Sequence, residues 1–300
     1  MLRAVSTHVF LRRRLRAPLL DTLATTGAQA VEIYAARQHF DYTSRADVRE
    51  LADWFAANSL KPLSLHAPQF GDLEMGRTGA PSVNVIHVEK SRRIDAMDEV
   101  KRALESAEQI PFTYLVLHLG ERNDAWSPRT LEHSLSAIEH LRAFAAPLGV
   151  KLLLENLQSE AAQPEHLAEI LSVGHFRDVG VCFDLGHAHL NGGIQPALDI
   201  LAPHIRSVHL HDNAGDRDSH LWPGDGTIAW PQTMHALAAL SHSPAQIVEL
   251  HSSFDAAAAS IDPDAAEPEI FPNFVQDMQE TFAWLAECSA TETAKAGQRE

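Results

Sequence analysis

His66 in SLHAP, His118 in VLHLG, Glu155 in LLLENL, Asp184 and His187 in FDLGH, His209 and His211 in SVHLHDN, and Glu249 in IVELH each close a short apolar run. Asp218 and His220 add a D-x-H pair within AGDRDSHLWPGDG. Imidazole nitrogens and carboxylate oxygens without sulfur suit Zn²⁺, Mn²⁺, Co²⁺ or Mg²⁺, and one carboxylate can bridge two ions. Each residue also has an ordinary structural reading. Glu32 ends another apolar run, and a lone buried carboxylate is normally tied into a hydrogen-bond network, which is the reading given to it. Glu155, Asp184, His209 and Glu249 differ, because burying three carboxylates together is costly unless a cation compensates them. Glu155 and Glu249 are also the candidate acid/base pair. His8, His39, His87, His133, His140, His166, His175, His204, His235 and His242 have no comparable partners and are read as surface or structural.

Such a set needs a scaffold that brings distant runs to one place. Eight apolar runs of strand length recur: Val5–Phe10, Ala30–Tyr34, Pro62–His66, Tyr114–His118, Lys151–Glu155, Gly180–Asp184, Arg206–His211 and Gln246–Glu249. Most do not alternate, as befits parallel strands covered on both faces. Between them, Pro18–Gly27, Ser44–Asn58, Ser82–Gln109, Ser127–Ala146, Pro164–His175, Ile194–Ala202, Pro231–Ser241 and Phe271–Cys288 carry helical spacing. Strand then helix, eight times, is the arithmetic of an α/β chain folded as a single (β/α)₈ TIM barrel, with chemistry at the carboxyl ends of its strands. The competing doubly wound sheet lacks its glycine-rich turn after the first strand. The barrel is expected over residues 1–288, with an acidic loop insertion at 251–270 and a disordered tail at 289–300.

A formal net charge of −16 provides no general attraction to nucleic acid or anionic lipid, although a local basic groove stays open. Cys182 and Cys288 form no CxxC pair, so neither a disulfide framework nor a thiolate zinc site is expected. No apolar run approaches a membrane span and Met1–Phe10 lacks the pattern of a signal peptide, so the expectation is a cytoplasmic protein. Composition leaves a homo-oligomer open.

LENL, GVCFDLGHAH, SVHLHDN and DSHLWPGDGTIAW resemble the xylose isomerase-like barrel superfamily, and the likeness runs from Val5 to about Leu285. That superfamily holds sugar and sugar-phosphate isomerases and epimerases, and also endonuclease IV, a zinc enzyme that cuts DNA at abasic sites. By resemblance to the epimerases, Glu155, Asp184, His209 and Glu249 would hold one divalent metal and His187 would face substrate. By resemblance to endonuclease IV, His66, His118 and Glu155 would hold one zinc. Glu155, Asp184, His209 and Glu249 would hold a second, and His187, Asp218 and His220 a third.

The chain departs from the nuclease pattern at Asp184-Leu185-Gly186-His187, where that family has D-T-C-H. The loop after His66 offers only Phe70, Leu73 and Met75 as wedges for DNA, and Asp255, Asp262, Asp264, Glu267 and Glu269 would repel a polyanion. Arg12, Arg13, Arg14 and Arg16 read either as a solvated basic turn or as a phosphate clamp, with Arg13 the substrate-facing candidate. His187 and His211 are further substrate candidates. Phe70 and Trp222 could cover a sugar ring, against the plainer reading of ordinary packing. The expected function is isomerisation or epimerisation of a small sugar or sugar phosphate through an enediolate, with one to three divalent ions, Zn²⁺ or Mn²⁺. The alternatives are a trinuclear zinc phosphodiesterase and a non-catalytic, metal-retaining sugar-binding barrel.

Overall fold

In the computed structural model, which describes residues 1–70, 82–251 and 273–290, strand and helix alternate around a closed ring. The strands are β1 (Arg3–Ser6), β2 (Ala30–Tyr34), β3 (Lys61–His66), β4 (Tyr114–Leu117), β5 (Lys151–Glu155), β6 (Gly180–Asp184), β7 (Ile205–Leu210) and β8 (Ala245–Val248). Each pairs in parallel with the next, and β1 pairs with β8, Ala4 opposite Ile247, to close the barrel. Around it lie α1 (Ala17–Thr25), α2 (Arg45–Ala57), α3 (Lys90–Leu104), α4 (Pro128–Ala145) and α5 (Pro164–Val173). The ring continues with α6 (Leu185–Leu190), α7 (Ile194–Leu201), α8 (Trp230–Ala238) and α9 (Phe274–Ala290).

The strands bury both faces, and their period of two separates two cores. Val31, Ile33, Leu65, Leu152, Leu154, Phe183, Val208 and Leu210 belong to the large core shared with the helices. Their alternates form small separate clusters inside the barrel, Ala4 with Ala30, Ala245 and Ile247, and Val116 with Leu153 and Cys182. Two residues further along the same inward rows stand Glu32, His118, Glu155, Asp184 and Glu249. Strand direction and pleat therefore put the polar set at one mouth and apolar layers beneath it.

The helix expected over Ser82–Gln109 is confined to Lys90–Leu104 with a 3₁₀ turn over Glu105–Glu108, and Ser82 instead bridges Phe70. Other differences from expectation have local reasons. The first strand stops at Ser6, not Phe10, because Ser6 Oγ accepts the His8 amide (3.4 Å) and starts a 3₁₀ turn over Thr7–Phe10. Between β6 and α7 stands α6, which the sequence reading missed; Asp184 caps it by accepting the His187 amide at 2.7 Å. Ser289 and Ala290, expected in the tail, extend α9, and Ser289 Oγ donates to the Leu285 carbonyl (3.0 Å). The rest of the expected tail, 291–300, and residues 252–270 of the expected acidic insertion lie outside the described residues. Among the described residues no helix is long and apolar enough to cross a membrane.

Candidate metal centre

Glu155, at the end of β5, is 1% exposed and stands between two groups of histidines. Its Oε2 lies 3.2 Å from His66 Nε2 and 3.1 Å from His118 Nε2. Its Oε1 lies 3.4 Å from His209 Nδ1 and 3.5 Å from His187 Nδ1. His209 Nδ1 is also 3.3 Å from Glu249 Oε2 and 3.6 Å from Asp184 Oδ2, so three buried carboxylates converge on one imidazole nitrogen. Further out, Asp218 Oδ2 lies 3.0 Å from His187 Nε2 and 3.2 Å from His220 Nε2.

The donor atoms assemble into groups whose members all lie within 4.8 Å of one another: Glu155, Asp184, His209 and Glu249; His66, His118 and Glu155; His187, Asp218 and His220. His211, His220 and Glu249 form a further such group, which the sequence did not suggest. The histidines are oriented from behind. His66 Nδ1 faces the Ala67 carbonyl (3.0 Å), His187 Nδ1 the Asn156 carbonyl (3.0 Å) and His220 Nδ1 the Glu249 carbonyl (3.3 Å), while His209 Nε2 lies 3.1 Å from Glu32 Oε1. One nitrogen of each ring is thereby held by an acceptor and the other is turned toward a carboxylate, the arrangement that fixes tautomer and direction in metal-binding histidines. The residues present fit a divalent cation.

The charges argue the same way. Burial alone would raise the Glu155 carboxyl, yet His118 and His209 hold it well below the usual carboxylate range. Burial would lower His187, but Asp184, Asp218 and Glu155 push it up to about 10. Desolvation would lower half-buried His220 too, but the charge of Asp218, Glu249 and Asp184 lifts it to about 9. Without a cation, protons on His187, His209 and His220 would offset the carboxylates, whereas His118 is pushed down by burial. A cation would displace the protons from the nitrogens it binds.

Loop chemistry completes the mouth. Asn156 donates to the Asp184 carbonyl (2.9 Å) and accepts its amide (2.8 Å), clamping β6 beside β5. Gly186 is required by close approach, since a Cβ there would stand 2.0 Å from His211 Cε1. Asp212 accepts the amides of Asn213, Gly224 and Ile228 and the Trp230 indole, at 2.7–3.1 Å, which anchors the loop carrying Asp218 and His220. His220 itself holds φ +44°, a left-handed conformation uncommon outside glycine that aims its ring inward.

Other expected site residues lie elsewhere or act differently. Glu32 accepts Ser64 Oγ (2.8 Å) beside His209, the network role expected of it. His211 is fully buried, donates to both Asp184 oxygens (3.0 Å each) and stacks on His220 with centroids 3.9 Å apart, so it supports ligands rather than meeting substrate. Trp222 turns away to pack on Phe274 (6.0 Å), in a cleft it shares with Trp284, Asp277 and Glu280. Arg14 pairs with Asp47 (2.7 Å) and Arg16 with Asp47 and Glu50 (3.2 and 2.7 Å), so these two form a basic turn docked on α2. Arg13 is buried, with 6% exposure, and does not line the cavity beside the metal donors. Phe70 does line it, with His118, His187 and Asp218, in a volume of about 340 Å³.

His8 was read as structural, and no donor group among the described residues includes it. It stands at the mouth, its ring 5.1 Å from His220, with Nδ1 3.0 Å from the Leu250 carbonyl. Asn156, beside Glu155 in LENL, was passed over as well, and so was Gln69, whose amide lies 3.2 Å from His118 Nδ1.

The family model for the xylose isomerase-like TIM barrel matches residues 20–271. The chain belongs to this family. Among curated relatives, the uncharacterized protein MJ1311 of Methanocaldococcus jannaschii is 28% identical over 267 residues, 84% of each chain. A probable endonuclease 4 of Haloquadratum walsbyi is 23% identical over 171 residues, 49% of this chain and 58% of that one. Among solved structures, a D-tagatose 3-epimerase-like protein superposes with a TM-score of 0.75 at 22% identity, covering 98% of this chain and 100% of that one. That level of identity establishes the fold. Family membership and the clustered donors support a metal-assisted enzyme.

Proposed function

We propose that this barrel is a divalent-metal enzyme that isomerises or epimerises a small sugar or sugar phosphate. The observation that carries the reading is the quartet Glu155, Asp184, His209 and Glu249, whose donors converge at the mouth beside a cavity of about 340 Å³, a small molecule's volume. A divalent cation bound there supplies Lewis-acid polarisation of a carbonyl and its neighbouring hydroxyl. Glu155 and Glu249 come from the ends of β5 and β8, with β6 and β7 between them, so they can reach different faces of a carbon held at the centre. One carboxylate takes the proton and the other delivers it, while His187, on the cavity wall, holds a substrate hydroxyl.

A second reading is favoured by one observation: His66 with His118 and Glu155, and His187 with Asp218 and His220, are donor sets that a one-metal reaction does not require. They suit a three-zinc phosphodiesterase, in which several cations stabilise the attacking and leaving oxygens. The deciding experiment quantifies metal per chain on protein purified without chelator, then follows deuterium uptake into ketoses and their phosphates by NMR. One ion per chain with carbon-bound exchange is expected. Three zincs, no exchange and cleavage of a phosphodiester would replace the isomerase reading with the second.

A further inference from the structure

The cavity beside the donors has a wall the metal chemistry leaves unused. Arg122, in the loop after β4, lines it and makes no ion pair among the described residues. Its neighbour Glu121 also reaches the cavity, but that carboxylate accepts the Ser82 hydroxyl. Gln158 and Ser159, after β5, line the same wall. Ser159 is 2% exposed, and its hydroxyl is buried without a hydrogen-bond partner among the described residues. Buried hydroxyls are rarely left so, and one on a cavity wall marks where a ligand's acceptor belongs. A Cβ at Gly120, with φ +74°, would stand 2.7 Å from Ser159 Oγ, so glycine there leaves room beside the hydroxyl.

Resting on the sugar reading of the site, we infer that Arg122, Gln158 and Ser159 form an anion subsite. It takes the terminal phosphate of a phosphorylated sugar whose reacting carbons face the metal donors. A guanidinium, an amide and a hydroxyl on one wall supply several donors to a tetrahedral oxyanion, with arginine providing the charge. His118, His187 and Asp218 line both this cavity and the donor groups, so one small molecule can span the two. The subsite makes the enzyme selective for a phosphorylated substrate over its neutral parent.

Calorimetric titration of the metal-loaded protein with glucitol 6-phosphate, glucitol and gluconate tests this without turnover, since none of the three is a carbonyl sugar. The phosphate ester should bind at least about tenfold tighter than glucitol. The ratio should fall several-fold in Arg122→Ala and in Ser159→Ala, and vanish in Arg122→Glu. Equal affinities for the ester and glucitol would overturn the subsite. So would a ratio left unchanged by Arg122→Ala, which would put the phosphate on the metal donors. A gain with gluconate alone would make the anion a carboxylate and overturn the phosphate assignment. Deuterium exchange separates the two readings. An Arg122-dependent ratio without exchange sinks the isomerase reading and leaves the subsite; exchange with a ratio of one does the reverse.

Discussion

The two ends of this barrel are built from the same strands and do opposite work. Toward the amino end the inward rows hold Ala4, Ala30, Ala245 and Ile247 in one cluster and Val116, Leu153 and Cys182 in another, small apolar groups that need no partner beyond close contact. Two residues along, the same rows present Glu155, Asp184, His209 and Glu249, nearly all without exposed surface, where each group depends on its neighbours' charge. The lower layers can stabilise the barrel through burial alone. The upper one crowds ionised carboxylates together and persists through protons or a cation that compensate them.

The sharpest way to break the contrast is Glu155→Gln, which keeps the shape and removes the charge shared by two donor groups. Turnover should fall by about 10²–10⁴-fold, with less metal retained per chain, read by activity assay and elemental analysis. Undiminished turnover would remove Glu155 from the chemistry. Leu153→Ala, two residues earlier on the same strand, should cost about 2–5 kcal/mol in urea denaturation while metal per chain stays unchanged. Loss of metal in step with stability would mean that the two ends are not separable.

A smaller effect sharpens the role of the groups behind the ligands. Glu32→Gln removes the carboxylate 3.1 Å from His209 Nε2 and should weaken metal affinity by about 10–100-fold in a competition titration with a chelating dye. Unchanged affinity would show that His209 needs no such support.

The smallest is a slope with pH. In the metal-free chain His187 stands at about 10 and His220 at about 9, above the ordinary 6.5, so the folded state holds protons that the unfolded chain has released. Their contribution to stability is complete below about pH 6.5 and is lost as pH rises through 9 and 10. Chelated protein should lose stability between about pH 7 and pH 10, and protein loaded with one ion on the quartet should follow it. A flat curve for the loaded protein would mean that cations had displaced the protons of His187 and His220. Parallel curves would leave the two histidines without a share in binding.

Much of this was legible in the residues themselves. Unalternating runs separated by helical spacing set the barrel, since parallel strands covered on both faces need continuous apolar sequence. The run-ending residues gave the donors, because strand ends converge at one mouth. What only the tertiary structure decided is which side chains lie behind that ring. Trp222 and His211 sit in motifs as polar or aromatic as their neighbours, yet one turns to Phe274 and the other is sealed beneath His220. Asn156 clamps Asp184 across the β5–β6 pair, and the Ser159 hydroxyl has room only because Gly120, on another loop, carries no Cβ. A period of two along a strand fixes a side chain's face and height, whereas its partners belong to other strands and loops. Those are set by closure of the ring, to which local sequence carries no reference.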